Sequence, residues 1–226
     1  GLIKGGSVAT SFVNLGGDAK TYGGATAINI GTLSVNTQLT NTSGVAVGPA
    51  SGTNTGTLRG NNGSINTLAT TTINPTGTLA PGETGSMIGT LSMGALNVTS
   101  LGTIAIDVNS TSGLHDVLNI TNLTLAANAT LTVADLGAGS LSIGTALLFI
   151  KNSDTWQASD GFFTVGGNVI HDESETFQVG SNIFHINYDY SGVEGTGVAL
   201  IVVPEPTSAS LVLLGAATIL RRRRRG

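Results

Sequence analysis

One short word recurs along this chain and limits what it can fold into. Gly-Thr-Leu stands at Gly31-Thr32-Leu33, Gly56-Thr57-Leu58, Gly77-Thr78-Leu79 and Gly89-Thr90-Leu91, and Gly102-Thr103-Ile104 follows. The intervals run from about 25 residues down to about 12, which suits stacked coils of about 20–25 residues, later read at half-steps. In such a coil glycine supplies corners that need a positive φ, while leucine or isoleucine points inward. Stacked threonines and asparagines form ladders between coils. Short apolar teeth surround the triplets: Ile28, Ile30, Leu33 and Val35 first, then Leu91, Met93, Leu96 and Val98, then Ile104, Ile106 and Val108. Val117, Leu118, Ile120, Leu123, Leu125, Leu131 and Val133 continue the series. Polar or glycine residues separate the teeth, the alternation of strands with one buried face. A glycine-rich linker with chance triplets does not explain that alternation.

Composition enters where a packed core is in question. Only 10% of residues are charged and 4% aromatic, yet 40% are hydrophobic and 33 are glycine. Disordered chains show high charge and few β-branched residues, so this one is expected to fold on many small aliphatic side chains. The texture shifts near Ala146, after which Phe149, Trp156, Phe162, Phe163, Phe177, Phe184, Tyr188 and Tyr190 concentrate. Phe177-Gln178-Val179, Ile183–Tyr188 and Val198–Val203 read as hairpin strands rather than coils. Residues 147–203 are therefore expected to cap the stack, covering its apolar end and its open strand edges.

Residues 1–35 carry a recognisable pattern. Leu2-Ile3-Lys4-Gly5-Gly6-Ser7 and Thr21 to Val35 (Thr-Tyr-Gly-Gly-Ala-Thr-Ala-Ile-Asn-Ile-Gly-Thr-Leu-Ser-Val) resemble the autotransporter-associated β-strand repeat. That resemblance implies a right-handed parallel β-helix of the kind found in surface-protein passenger domains. His115 to Leu125 is similar to further coils of that type.

The C-terminus has a different logic. Pro204, Glu205 and Pro206 form a segment that stays extended, because proline fixes φ and removes a backbone donor. An uncharged run from Thr207 to Leu220 follows, with Leu211, Val212, Leu213, Leu214, Ile219 and Leu220 as its apolar residues. As a helix it is about 21 Å long against a hydrocarbon core of ~30 Å. Those six side chains contribute roughly −2 to −4 kcal/mol to insertion, a thin anchor alone. Arg221, Arg222, Arg223, Arg224 and Arg225 then hold that end in the cytoplasm, since five cations are costly to translocate. This ordered triple resembles the PEP-CTERM sorting signal of Gram-negative bacteria. The resemblance implies recognition of the Pro-Glu-Pro by an exosortase, a membrane-embedded cysteine transpeptidase that removes the tail. It also implies export, transient anchoring in the inner membrane before processing, and a setting of extracellular polysaccharide.

The inventory for chemistry is short. Between residues 21 and 150 the charged residues are Arg59, Glu83, Asp107, Asp116 and Asp135. Glycoside hydrolysis needs two carboxylates a few ångströms apart, and Asp116 with Asp135 on neighbouring coils is the one pair available. Asp107 and Asp116 read better as corner residues that accept backbone hydrogen bonds. His115, His171 and His185 lack the spacing of a zinc site. Asp172-Glu173-Ser174-Glu175 lacks the spaced acids and glycine of a calcium loop. Asn97, Asn109, Asn119, Asn122 and Asn128 begin Asn-x-Ser/Thr triplets that follow from composition. No cysteine is present, which removes disulfide and thiolate chemistry. Without the five terminal arginines, four basic residues against thirteen acidic ones leave −9, which argues against nucleic acid as a partner. The chain opens on Gly1 with no leader pattern, and the expectation is a signal peptide, with further repeats, upstream.

Taken together, the expected fold is all-β: a right-handed parallel β-helix (solenoid) over 1–146, a β cap over 147–203, and a sorting tail over 204–226 with a short transmembrane helix. The expected role is structural or adhesive at the cell surface or in the extracellular matrix, with no cofactor, no metal and no catalytic residues. A carbohydrate-active β-helix enzyme or a polysaccharide-binding module is the alternative. An autotransporter passenger is disfavoured, because arginines and not a membrane barrel follow.

Overall fold

The computed structural model describes residues 1–5, 10–83, 87–152 and 161–205. Its described residues form 23 strands and no helix. The chain lays them down in triplets. The first turn carries β1 (Leu2–Lys4) and β2 (Phe12–Leu15), with Lys20 bridging to Leu39 in the third position. The next carries β3 (Gly24–Ile28), β4 (Gly31–Val35) and β5 (Gln38–Leu39), followed by β6 (Thr42–Val47), β7 (Gly56–Gly60) and β8 (Gly63–Ile65). Then come β9 (Thr70–Ile73), β10 (Gly77–Pro81) and β11 (Thr90–Ser92). The following turn has β12 (Ala95–Val98), β13 (Thr103–Asn109), a short β14 (Leu114–His115) and β15 (Val117–Asn119). The last has β16 (Asn122–Leu125), β17 (Ala129–Asp135) and β18 (Ala146–Lys151).

Each turn thus adds one strand to each of three sheets. The first sheet runs β1-β3-β6-β9-β12-β16, the second β2-β4-β7-β10-β13-β17, and the third β5-β8-β11-β15-β18. All of these neighbours pair in parallel. The architecture is all-β with parallel sheets, compatible with a β-solenoid.

The register explains the recurring triplet. Leu33, Leu58, Leu79, Ile104 and Leu131 pair in one column of the second sheet and are fully buried. One copy departs from the expected half-steps: Gly89-Thr90-Leu91 belongs to the third sheet, where Leu91 pairs with Leu118. Without it the spacing within the second sheet is about 21–27 residues throughout, one full turn each time.

The glycines also do something other than expected. Gly31 has a positive φ of 79°, as a corner requires, but Gly56, Gly77, Gly89 and Gly102 do not. They are needed because the preceding turn comes too close. A Cβ on Gly56 would lie 2.0 Å from the Ile28 carbonyl oxygen, and one on Gly77 2.0 Å from that of Val47. At Gly102 the gap to the Ile73 oxygen is 2.6 Å, and one turn further the position is held by Ala129. Space opens along the stack, and glycine gives way to alanine.

Corners carry the expected amide ladder. Asn36 donates through Nδ2 to Oδ1 of Asn14 (3.0 Å) and accepts the Asn61 N–H on its own Oδ1 (2.8 Å). Asn66 and Asn74 bond the carbonyls of Thr42 and Gly48, each one turn back.

Pairing changes at β18, which is parallel to β15 on one side and antiparallel on the other to β23 (Gly195–Val203). Before that strand come β19 (Phe163–Val165), β20 (Asn168–Val169), β21 (Phe177–Val179) and β22 (Asn182–Gly192). The last three strands form antiparallel hairpins, and β19 stacks in parallel on β17. Phe149, Phe163 and Phe184 are buried there, and the Phe163 ring stacks on Tyr188. The Tyr188 hydroxyl accepts the Phe163 N–H (2.9 Å) and donates to the Ile170 carbonyl (2.7 Å). Burial raises its pKa. Bulky rings therefore fill the end of a core that is otherwise aliphatic.

Candidate functional site

Pro204 and Glu205, expected to open a sorting motif, follow directly on the end of β23. Pro204 and Glu205 are exposed and line a shallow cleft of about 150 Å³ with Ser140, Ser181 and Val202. β23 is bonded on both sides, by β18 and β22, and a proline cannot extend that ladder. Pro206, the apolar residues Leu211, Val212, Leu213, Leu214, Ile219 and Leu220, and Arg221–Arg225 lie outside the described residues. Among the described residues no helix is long and apolar enough to cross a membrane.

The carboxylates weighed for chemistry are committed to the backbone. Asp116 is fully buried, at 0% exposure. Its Oδ1 accepts the Gly89 N–H (2.7 Å) and its Oδ2 the Asp107 N–H (2.9 Å). Burial pushes its pKa up to about 7 against the pull of those two bonds; the Asp107 charge adds to the rise and Arg59 opposes it. Asp107 is itself raised by burial, with Arg59 again opposing. Asp135 is also partly buried, which works against ionisation, yet bonds from Ser110, Gly137 and Asn182 hold its pKa below the usual value. Its Oδ1 accepts the Ser110 N–H (3.0 Å) and the Gly137 N–H (2.8 Å). The two acids thus bind different stretches of backbone, and each fixes a corner.

The histidines stand apart. Nε2 of His115 lies 3.3 Å from the Leu148 carbonyl, His185 is buried in β22, and His171 is exposed. Nδ1 of His171 lies 3.1 Å from Glu175, and its N–H donates to the same carboxylate. Bonds from Ser174 lower the Asp172 pKa, and bonds from His171 lower that of Glu175. The acidic loop is spent on its own turn. Among the described residues no group of three or more His, Asp or Glu could hold a metal.

Two clefts lie beside Phe162 and His171. One of about 550 Å³ is lined by Leu125, Ala126, Asn128 and Val169, the other, about 340 Å³, by Glu173, Ile186, Asn187 and Tyr188.

The threonines of Gly-Thr-Leu, expected to stack between coils, fall in one column, Thr90 apart. Thr32, Thr57, Thr78, Thr103, Thr130 and Thr164 pair successively, one per turn, in a single column of the second sheet. All six are half-buried, on the face opposite the leucine column. The signal was present in the repeated word, but Thr130 and Thr164 lie outside it, in Ala-Thr-Leu and Phe-Thr-Val.

Comparison with protein-family models, with curated proteins and with solved structures finds no match.

Proposed function

We propose that this chain is an exported, non-enzymatic β-solenoid with a structural or adhesive role at the cell surface or in the extracellular matrix. The observation that carries the reading is the turn-by-turn register of the second sheet, which makes the chain a rod with few charges on its sides. A right-handed winding is the proposed hand, because parallel β-crossover connections overwhelmingly take it. The commitment of Asp116 and Asp135 to backbone N–H groups supports a scaffold over a hydrolase built on that pair.

In this reading the tail is an address. Pro204, Glu205 and Pro206 are presented to an exosortase-type transpeptidase after the membrane has held the segment through Leu220, with Arg221–Arg225 on the cytoplasmic side. Support comes from the exposed start of the motif directly after the last core strand. The test is the intact mass of the protein recovered from the surface and medium of producing cells. A C-terminus near Pro204–Pro206 is expected; an uncut C-terminus in the surface fraction refutes the sorting reading.

The clefts beside Phe162 and His171 favour a second reading, a polysaccharide-binding module. Retention on the producer's own polysaccharide, without release of reducing or unsaturated sugars, would select it over scaffold and enzyme.

A further inference from the structure

In Gly-Thr-Leu the glycine is dictated by the close approach of the preceding turn and the leucine by the core. The threonine is dictated by neither. Its side chain faces outward, and among the described residues the hydroxyls of Thr32, Thr57, Thr78, Thr103 and Thr130 have no hydrogen-bond partner. Threonine suits a strand, but other outward columns do not keep one residue type. The first sheet shows Ala27, Ala46, Thr72, Asn97 and Thr124, and the third Gln38, Ser64, Ser92, Asn119 and Lys151.

The column is also straight. Register shifts occur in the first and third sheets but in none of the pairs that carry the threonines. Parallel strands hold neighbouring members about 4.8 Å apart, so the five members open to solvent, Thr32 to Thr130, span about 19 Å. A β-branched side chain has restricted χ1 freedom in a strand, which fixes each hydroxyl and methyl relative to the next.

The row open to solvent is Thr32, Thr57, Thr78, Thr103 and Thr130; the hydroxyls of Thr164, the sixth member, and of Ser34, beside Thr32, are buried without a protein partner and lie out of reach of an outside surface. The face is neutral along the column. Arg59 and Asp107 stand at its margin, and Arg59 folds back to donate to the Glu83 carbonyl (3.1 Å). Ala80, Ala105 and Thr132 continue the methyl and hydroxyl pattern beside it. No aromatic ring lies between Thr32 and Thr130 to stack a sugar; Phe12 stands at the far end.

We propose that this threonine column binds ordered water at the surface of ice. A rigid row of hydroxyls and methyls at a regular repeat of about 4.8 Å can hold water in a fixed lattice. The inference goes beyond the scaffold reading and does not depend on it, because the assay uses the purified chain and ice alone.

The experiment is adsorption to a growing ice front together with inhibition of ice recrystallisation. The chain is expected to enter the ice fraction and to restrain crystal growth. A Thr78→Lys, Thr103→Lys pair should lose about tenfold or more in activity, the equivalent of about 1.4 kcal/mol in binding. Thr124→Lys, on the exposed outer face of the first sheet, should lose nothing. Urea midpoints and circular dichroism check the fold; should the lysines unfold it, the Thr78→Ser, Thr103→Ser pair must still lose several-fold. Exclusion of the native chain from ice overturns the proposal. So does equal loss in Thr124→Lys, or full activity in the column variants. Column-dependent retention on a neutral glycan without any effect on ice would also overturn it.

Discussion

Replacing Gly77 by alanine tests the close-approach account of the repeated glycine. The new Cβ would sit 2.0 Å from the Val47 oxygen and 2.7 Å from the Val47 carbon. Ordinary contact begins near 3.4 Å, so the two turns must separate by more than an ångström. The Val47 oxygen also accepts the Asn74 N–H (2.9 Å), and Gly77 donates to the Asn74 carbonyl (2.8 Å), so separation strains the corner that holds both. Overpacking of this kind costs about 1–3 kcal/mol, and a buried carbonyl deprived of its partner about 1–3 more. The expected loss is ~2–6 kcal/mol, a large part of the ~5–15 kcal/mol that holds a domain. Two other glycines separate the causes. Gly113 has φ of 75° and no atom within 4 Å of a built Cβ, so Gly113→Ala should cost only the left-handed backbone term, about 1–2 kcal/mol. Gly23 has neither constraint, and Gly23→Ala should be neutral or stabilising by up to ~1 kcal/mol. Urea denaturation followed by circular dichroism gives the order. If Gly77→Ala loses no more than Gly113→Ala, the glycines are there for backbone freedom and the argument fails.

Asp116 gives the chain a pH dependence of definite sign. Its folded pKa, about 7, lies above the ordinary 3.8, so the folded state binds the extra proton between those values. Its contribution is full at acid pH, declines as pH rises through that window, and is gone above about 7; the span is at most ~4 kcal/mol. Urea midpoints should therefore fall from pH 5 to pH 8.5, and Asp116→Asn should abolish that slope even though its amide leaves one N–H unmatched. A midpoint that climbs with pH, or a slope kept by the variant, sinks this. Tyr188→Phe removes a hydroxyl that accepts from Phe163 and donates to Ile170, and should cost about 1–3 kcal/mol by thermal unfolding. Leu58→Ala, in the middle of the fully buried leucine column, should cost ~2–5 kcal/mol; a loss below 1 kcal/mol would mean the turns do not share one core.

Much of the core was legible because alternation is a local property. Ile28, Leu33, Val35, Leu58, Leu79, Leu91, Leu96, Val98, Ile104 and Ile106 all point inward, as their spacing demands. The sheet to which each tooth belongs is not local. Gly89-Thr90-Leu91 reads like its siblings, yet it pairs in the third sheet, with Leu91 between Gly63 and Leu118. Polar residues at inward positions also evade the pattern: Thr26 and Thr42 are buried and bond each other at 3.1 Å, so each supplies the partner that an apolar reading would have denied it. Asp116 was legible as a backbone acceptor but not as a fully buried one. Its burial depends on the turn that brings Gly89 over it, a contact across 27 positions.

The order of strands bears on the proposed sorting tail. β23 lies between β18 and β22, so the last described strand is an interior one, while the outer edge of that sheet is β21. A pull on the chain beyond an edge strand would peel one ladder; beyond an interior strand it must break two. Pro204 then stops the ladder at Val203, since it has no N–H to offer and begins exposed. A cut at the Pro-Glu-Pro would therefore leave Val202, the last buried residue of the cap, in place. On this argument a chain ending at Pro204 should keep the urea midpoint of the longer one within about 0.5 kcal/mol, the range for changes outside the packed structure. A larger drop would mean that residues beyond Pro204 contribute to the stability of the fold.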